Sequence, residues 1–153
     1  MSVSKRQQIL AEFVNRLYEI TIANGFQTDA GQLVFIGERP VLGPSDPDAS
    51  IDVVVSTDDP GFQGEKVFVT LPVTVRAVVR VDSVNGATPW GTVEAVIADI
   101  KKAIETDHDL SGLLVQRGLE RGPVEPRDRE PGDEIVGAGV QYNLKYTEQW
   151  GAP

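Results

Sequence analysis

Lys66-Val67-Phe68-Val69-Thr70-Leu71-Pro72-Val73-Thr74-Val75-Arg76-Ala77-Val78-Val79-Arg80-Val81-Asp82 is the longest alternating stretch of the chain. Val67, Val69, Leu71, Val73, Val75, Ala77, Val79 and Val81 share one parity; Phe68, Thr70, Thr74, Arg76 and Arg80 share the other. Successive side chains of a strand point to opposite faces, so the alternation predicts one long strand with a buried and a wetter face, the antiparallel pattern. Pro72 removes a ladder donor and predicts an edge or a bulge at that point. A second alternation, Val136, Ala138, Val140, Tyr142, Leu144 and Tyr146 against Gln141, Asn143 and Lys145, runs through Ile135 to Glu148. Two long strands with matched apolar faces are expected to pair antiparallel.

Two amphipathic helices supply the cover for that apolar face. Ser4-Lys5-Arg6-Gln7 fits a capping box, and Ile9, Leu10, Phe13, Leu17 and Ile20 recur at helical spacing after it. Lys5, Glu12, Asn15, Arg16 and Glu19 are expected off that stripe, and Gly25 is the expected stop after Asn24. Thr88 and Pro89 open a second helix, running to Thr106, with Val93, Ile97, Ile100 and Ile104 as its stripe and Ala98 and Asp99 turned away. Leu110, Leu113, Leu114 and Val115 read as a helical turn leading into a strand. Shorter strands are expected at Leu33–Ile36 and around Ile51, Val53 and Val55. Three prolines between Pro40 and Asp48 make a loop. Thr57-Asp58-Asp59-Pro60-Gly61, extended by Gly64, reads as a turn, Asn85-Gly86 as another, and Arg121 to Glu134 as a long mobile loop. The whole is a single α+β domain over residues 1–153, with a mostly antiparallel sheet and two helices on one face.

Composition narrows function by exclusion. The chain of 153 residues has an ordinary apolar share of 41% and no cysteine, which excludes disulfides and thiolate metal sites. No run approaches a membrane span, and Met1-Ser2-Val3-Ser4-Lys5 leads into a polar helix, so neither a membrane partner nor a targeting segment is expected. The net charge of -9 repels nucleic acid and acidic lipid at long range.

A search for catalytic chemistry finds weak signals. His108, the single histidine, stands between two aspartates and reads as a polar cap of a helix end. Asp46, Asp48 and Asp52 hint at a calcium loop without its glycine or its final glutamate. Gly137-Ala138-Gly139 lies inside a strand and reads as a bulge or a close backbone approach, not as a dinucleotide loop. Arg117, Arg121, Arg127 and Arg129 alternate with Glu120, Glu125, Asp128 and Glu130, which suits a solvated loop better than a phosphate-tracking groove. No cofactor or metal site is expected. An enzyme built on carboxylates alone stays open as an alternative, because such groups need only meet in space.

The order helix, Asn24-Gly25, Gln27-Thr28-Asp29-Ala30-Gly31, Leu33-Val34-Phe35-Ile36, Gly37-Glu38-Arg39-Pro40 resembles the tail terminator (tail completion) proteins of long-tailed bacteriophages. Leu71-Pro72-Val73-Thr74-Val75 is similar to that family's central strand, Glu94 to Ile104 to its second helix, and Val140 to Tyr146 to its final strand. The resemblance implies a non-enzymatic protein that assembles as a hexameric ring on the head-proximal end of the tail tube. Such a ring stops tube growth and docks the head connector, in the virion after assembly in the host cytoplasm. The major tail tube protein and the connector would be its partners, with DNA passing through an acidic lumen without specific binding. Another neck or tail component, such as a head-closure or minor tail protein, is the neighbouring alternative. Asp58, Asp59, Phe62, Arg127 and Arg129 are the candidate interface, combining charge with one aromatic anchor.

Overall fold

The computed structural model describes residues 3–37, 45–81, 89–126 and 135–153. The elements are α1 Lys5–Tyr18, β1 Val34–Ile36, β2 Ala49–Val55, β3 Asp59–Gln63, β4 Lys66–Arg80, α2 Pro89–Ile104, β5 Leu119–Pro126 and β6 Ile135–Gln149. They form an α+β fold in which the strands make one sheet ordered β1-β2-β4-β6-β5, with β3 also paired to β4. Among the described strands, only β1–β2 is parallel. None of the described helices is long and apolar enough to cross a membrane.

β4 and β6 pair antiparallel along their full length, from Lys66↔Gln149 to Arg80↔Ile135. The expected parity is the buried one: Leu71, Val73, Val75, Ala77, Val79, Val140, Tyr142 and Leu144 are fully buried. α2 packs on β4 and β6, and α1 packs on α2. Phe13 of α1 reaches Tyr142 of β6 edge to face, at 5.9 Å between ring centroids. The opposite face is not uniformly wet, since Ser50, Asp52 and Val78 are buried there too.

Pro72 does what its chemistry requires. β2 pairs up to Val55↔Val73, and β3 resumes at Asp59↔Thr70. Three residues, Ser56 to Asp58, therefore stand opposite two, Leu71 and Pro72, so the partner line carries a bulge where β4 has no N–H to offer. The Pro72 carbonyl still accepts the Ser56 amide at 2.9 Å. Gly137 is a close backbone approach within a regular register: a Cβ there would collide with the Ala77 carbonyl.

Several expectations need correction. α1 ends at Tyr18, not Asn24. Thr21 is extended at the start of the β-branched pair Thr21-Ile22, and Gly25, at φ 89°, closes a separate 3-10 turn over Ile22–Asn24. The capping box itself is present, with Ser4 Oγ accepting the Gln7 amide and Gln7 Oε1 accepting the Ser4 amide. The segment Thr57–Glu65 is not merely a turn: Asp59–Gln63 is β3, and Gly64, at φ 63°, makes the tight turn into β4. Arg121–Glu134 is not one long loop, because residues 121–126 belong to β5. Both strands lie on edges, where side chains stay exposed and hydrophobic alternation is not required. Leu110 to Val115 is a run of turns, with Leu110 and Ser111 at positive φ, and β5 starts only at Leu119. Thr88, Asn85-Gly86 and residues 38–44 lie outside the described residues.

Two charged residues placed off the helix stripes are buried. Arg16, 8% exposed, spans α1 and the end of α2. It donates to the Ile104 carbonyl, to Thr106 and Ser111 hydroxyls, and to the carboxylates of Glu12 and Asp107. A guanidinium thus caps the C-terminus of α2, the role expected of His108, whose side chain is exposed. Asp99, 1% exposed, accepts the amides of Gln27 and Thr28 and the Thr28 hydroxyl. Asp29 accepts the Ile22 amide, and Gly31 lies so close to the Leu17 and Ile20 carbonyls that no side chain fits. The Thr28-Asp29-Ala30-Gly31 link is therefore a clamp joining the end of α1 to α2.

Candidate assembly surface

β4 and β6, at 15 residues each, reach much further than the helices that cover them. A strand of that length spans about 46 Å. The 14-residue α1 spans about 20 Å. At the hairpin end of the sheet, α1 begins beside the pair Arg6–Asp58, at 3.1 Å. β3, the start of β4 and the end of β6 run on past that pair. The apolar parity continues there, with Val67, Val69 and Tyr146 still buried.

Gln63↔Lys66 and Gln149↔Lys66 align three strands at this tip. The Trp150 amide donates to the Glu65 carbonyl at 2.7 Å, tying the end of β6 to the β3–β4 turn. Gly151, at φ 78°, then turns the chain so that the Ala152 amide returns to the Gln149 carbonyl. The result sets Trp150 against Phe62, edge to face, with ring centroids 5.7 Å apart and planes at 65°. Both remain open to solvent, Phe62 by 63% and Trp150 by 70%. They flank a notch of about 410 Å³ with Pro60, Val67 and Pro153 as further apolar walls and Glu148 as its charged lining.

The expected interface residues divide. Phe62 stands at the centre of this tip. Asp59 is on the same strand but on the opposite face, opposite Thr70 and in line with Phe68. Asp58 is engaged by Arg6. Arg127 and Arg129 lie outside the described residues, following Pro126, which pairs with Ala138 far along β6 from the tip. Trp150 was not singled out from the sequence, although a tryptophan directly following an amphipathic strand is the signal that could have found it. No protein-family model matches the chain, and no curated protein matches it.

The acidic groups weighed for chemistry are spent on structure. Asp52, fully buried on β2, accepts from both Nε and the terminal nitrogen of Arg76 across β4. Its other oxygen has no hydrogen-bond partner among the described residues. Asp48 pairs with Arg80 at 3.4 Å. Among the described residues, no three His, Cys, Asp or Glu side chains are grouped to hold a metal ion. Burial works against ionisation of Asp107, but the hydrogen bonds and charge of Arg16, with the Ser111 and Leu110 amides, hold its carboxyl below the usual range. Tyr142 is driven up strongly by burial, then by the charge of Glu105, whose carboxylate accepts its hydroxyl at 3.0 Å.

Proposed function

We propose that this chain is a structural subunit of a long-tailed phage tail. It forms a ring, hexameric by its family resemblance, that caps the head-proximal end of the tail tube, stops tube growth and docks the head connector. The carrying observation is the bare aromatic tip: two large rings on strands joined by backbone bonds, with most of their area in water. Large exposed aromatic surfaces on an ordered scaffold favour assembly contacts. The carboxylates support the same reading, because Asp52, Asp58, Asp99 and Asp107 each serve an internal partner instead of converging on a pocket. The net charge of -9 suits a lumen through which DNA passes without adhering. On this reading the protein has no catalytic turnover and does not bind duplex DNA at physiological salt.

The test is deletion of the gene and imaging of the lysate. Overlong tails without heads are the expected result. Tails of normal, sharply defined length joined to heads would overturn the proposal.

A further inference from the structure

We infer that the aromatic tip of one copy seats on the end of α1 in a second copy, a contact that rests on the ring reading above. The apolar tip has one acidic side chain in its notch: Phe62 and Trp150 rise beside Glu148, while Lys66, next to Glu65 of the adjoining turn, sets its Nζ over the Phe68 ring. At the far end of α1 lies an exposed apolar patch with a basic border. Tyr18 is 48% and Ile22 60% exposed. Lys102 of α2 borders the turn that follows Ile22, its Nζ 3.0 Å from the Gly25 carbonyl and 4.9 Å from the Phe26 ring centroid. Lys101 precedes it and Glu19 follows Tyr18 in the chain, and Asp29 is engaged by the Ile22 amide.

The two patches are held apart by α1 itself. Arg6 pairs with Asp58, just before β3, and Tyr18 follows twelve residues later, about 18 Å along the helix axis. They cannot meet within one copy. Between copies they fit: ring faces against Tyr18 and Ile22, and Lys102 against Glu148. A symmetric tip-to-tip dimer would instead set Glu148 against its own duplicate. Strand addition at β3 or β5 is disfavoured as well, since these strands carry Pro60, Pro123 and Pro126. Two different patches meeting head to tail generate a ring when the rotation closes.

The experiment is sedimentation of the full-length chain over a range of concentrations, with thermal melting to confirm that each variant folds. Wild type should assemble. Trp150→Ala, Glu148→Lys and Lys102→Glu should each weaken assembly at least about tenfold, as expected for an anchor or a reversed charge at a contact centre. Glu148→Lys combined with Lys102→Glu should recover it. Folded single variants that assemble as tightly as wild type, or a double variant with no recovery, would overturn this contact while leaving the ring intact as a reading. A wild-type chain that stays monomeric at every concentration and on added tail tubes would defeat the ring reading too. A discrete tip-to-tip dimer would replace this contact with another.

Discussion

Phe13 and Phe62 are the same residue type in nearly the same aromatic geometry, 5.9 Å and 71° to Tyr142 in one case, 5.7 Å and 65° to Trp150 in the other. Phe13 and Tyr142 are fully out of water, whereas Phe62 and Trp150 are mostly in it. Both pairs gain the same modest edge-to-face attraction, on the order of 0.5–1.5 kcal/mol. What separates them is the greater stabilisation from removing apolar area from water, which the first pair has collected in folding and the second has not. The first pair is therefore finished as part of the fold, and the second keeps most of its apolar area in water, the surface that the proposed assembly would cover.

The sharpest way to break that comparison is to remove each ring. Phe13→Ala should destabilise the chain by about 3–5 kcal/mol, the cost of a large-to-small change in a packed core. Phe62→Ala should stay within about 1 kcal/mol, because its ring is replaced where water already reaches. Urea titration of both variants measures the difference. Equal losses would mean that the tip belongs to the folding core and is not held in reserve for assembly.

A smaller but still large effect is expected at Asp99. Its carboxylate accepts three hydrogen bonds from the Gln27–Thr28 corner in a nearly dry environment. Asp99→Ala would strand two backbone amides and a hydroxyl, at a cost of roughly 2–4 kcal/mol. Asp59→Ala, on the exposed tip strand, should be close to neutral for stability. If Asp99→Ala proves as mild as Asp59→Ala, the link after α1 is not the clamp its geometry describes.

The long strands were legible because their buried face is written at every second residue, from Val67 to Val79 and from Val136 to Tyr146. Pro72 was legible for the same reason: one missing donor has a local consequence. β3 and β5 were not, because they lie at edges and are held through backbone bonds to β4 and β6, which Asp59-Pro60-Gly61 or Gly122-Pro123 need not advertise. Arg16 and Asp99 were hidden by distance along the chain. Asp107 and Thr28, which make them internal, lie 91 and 71 residues away. Of the tip, Phe62 was readable as an aromatic in a polar segment. Trp150 needed the pairing of β6 with β4 to show where it stands.

The last and smallest effect concerns acid. Asp107 has a side chain 37% exposed, so solvent weakens its pairing with Arg16, and only a shallow pH dependence is expected. The sign follows from the direction of its shift. Its folded-state pKa is below the ordinary aspartate value of 3.8, so the unfolded chain binds the proton more readily than the folded one. The stabilisation is therefore complete above the unfolded value and is lost as pH falls through it towards the folded value. Asp107→Asn should remove this contribution, flattening the decline in stability below about pH 4 relative to wild type. Arg16→Met should remove the hydrogen bonds and charge that lower the Asp107 pKa, and so shrink the loss of stability that Asp107 causes in acid. Both are read from urea midpoints taken across the acid range. Parallel declines in wild type and Asp107→Asn would show that the covered region draws no acid sensitivity from this pair, and the contrast with the tip would then rest on apolar burial alone.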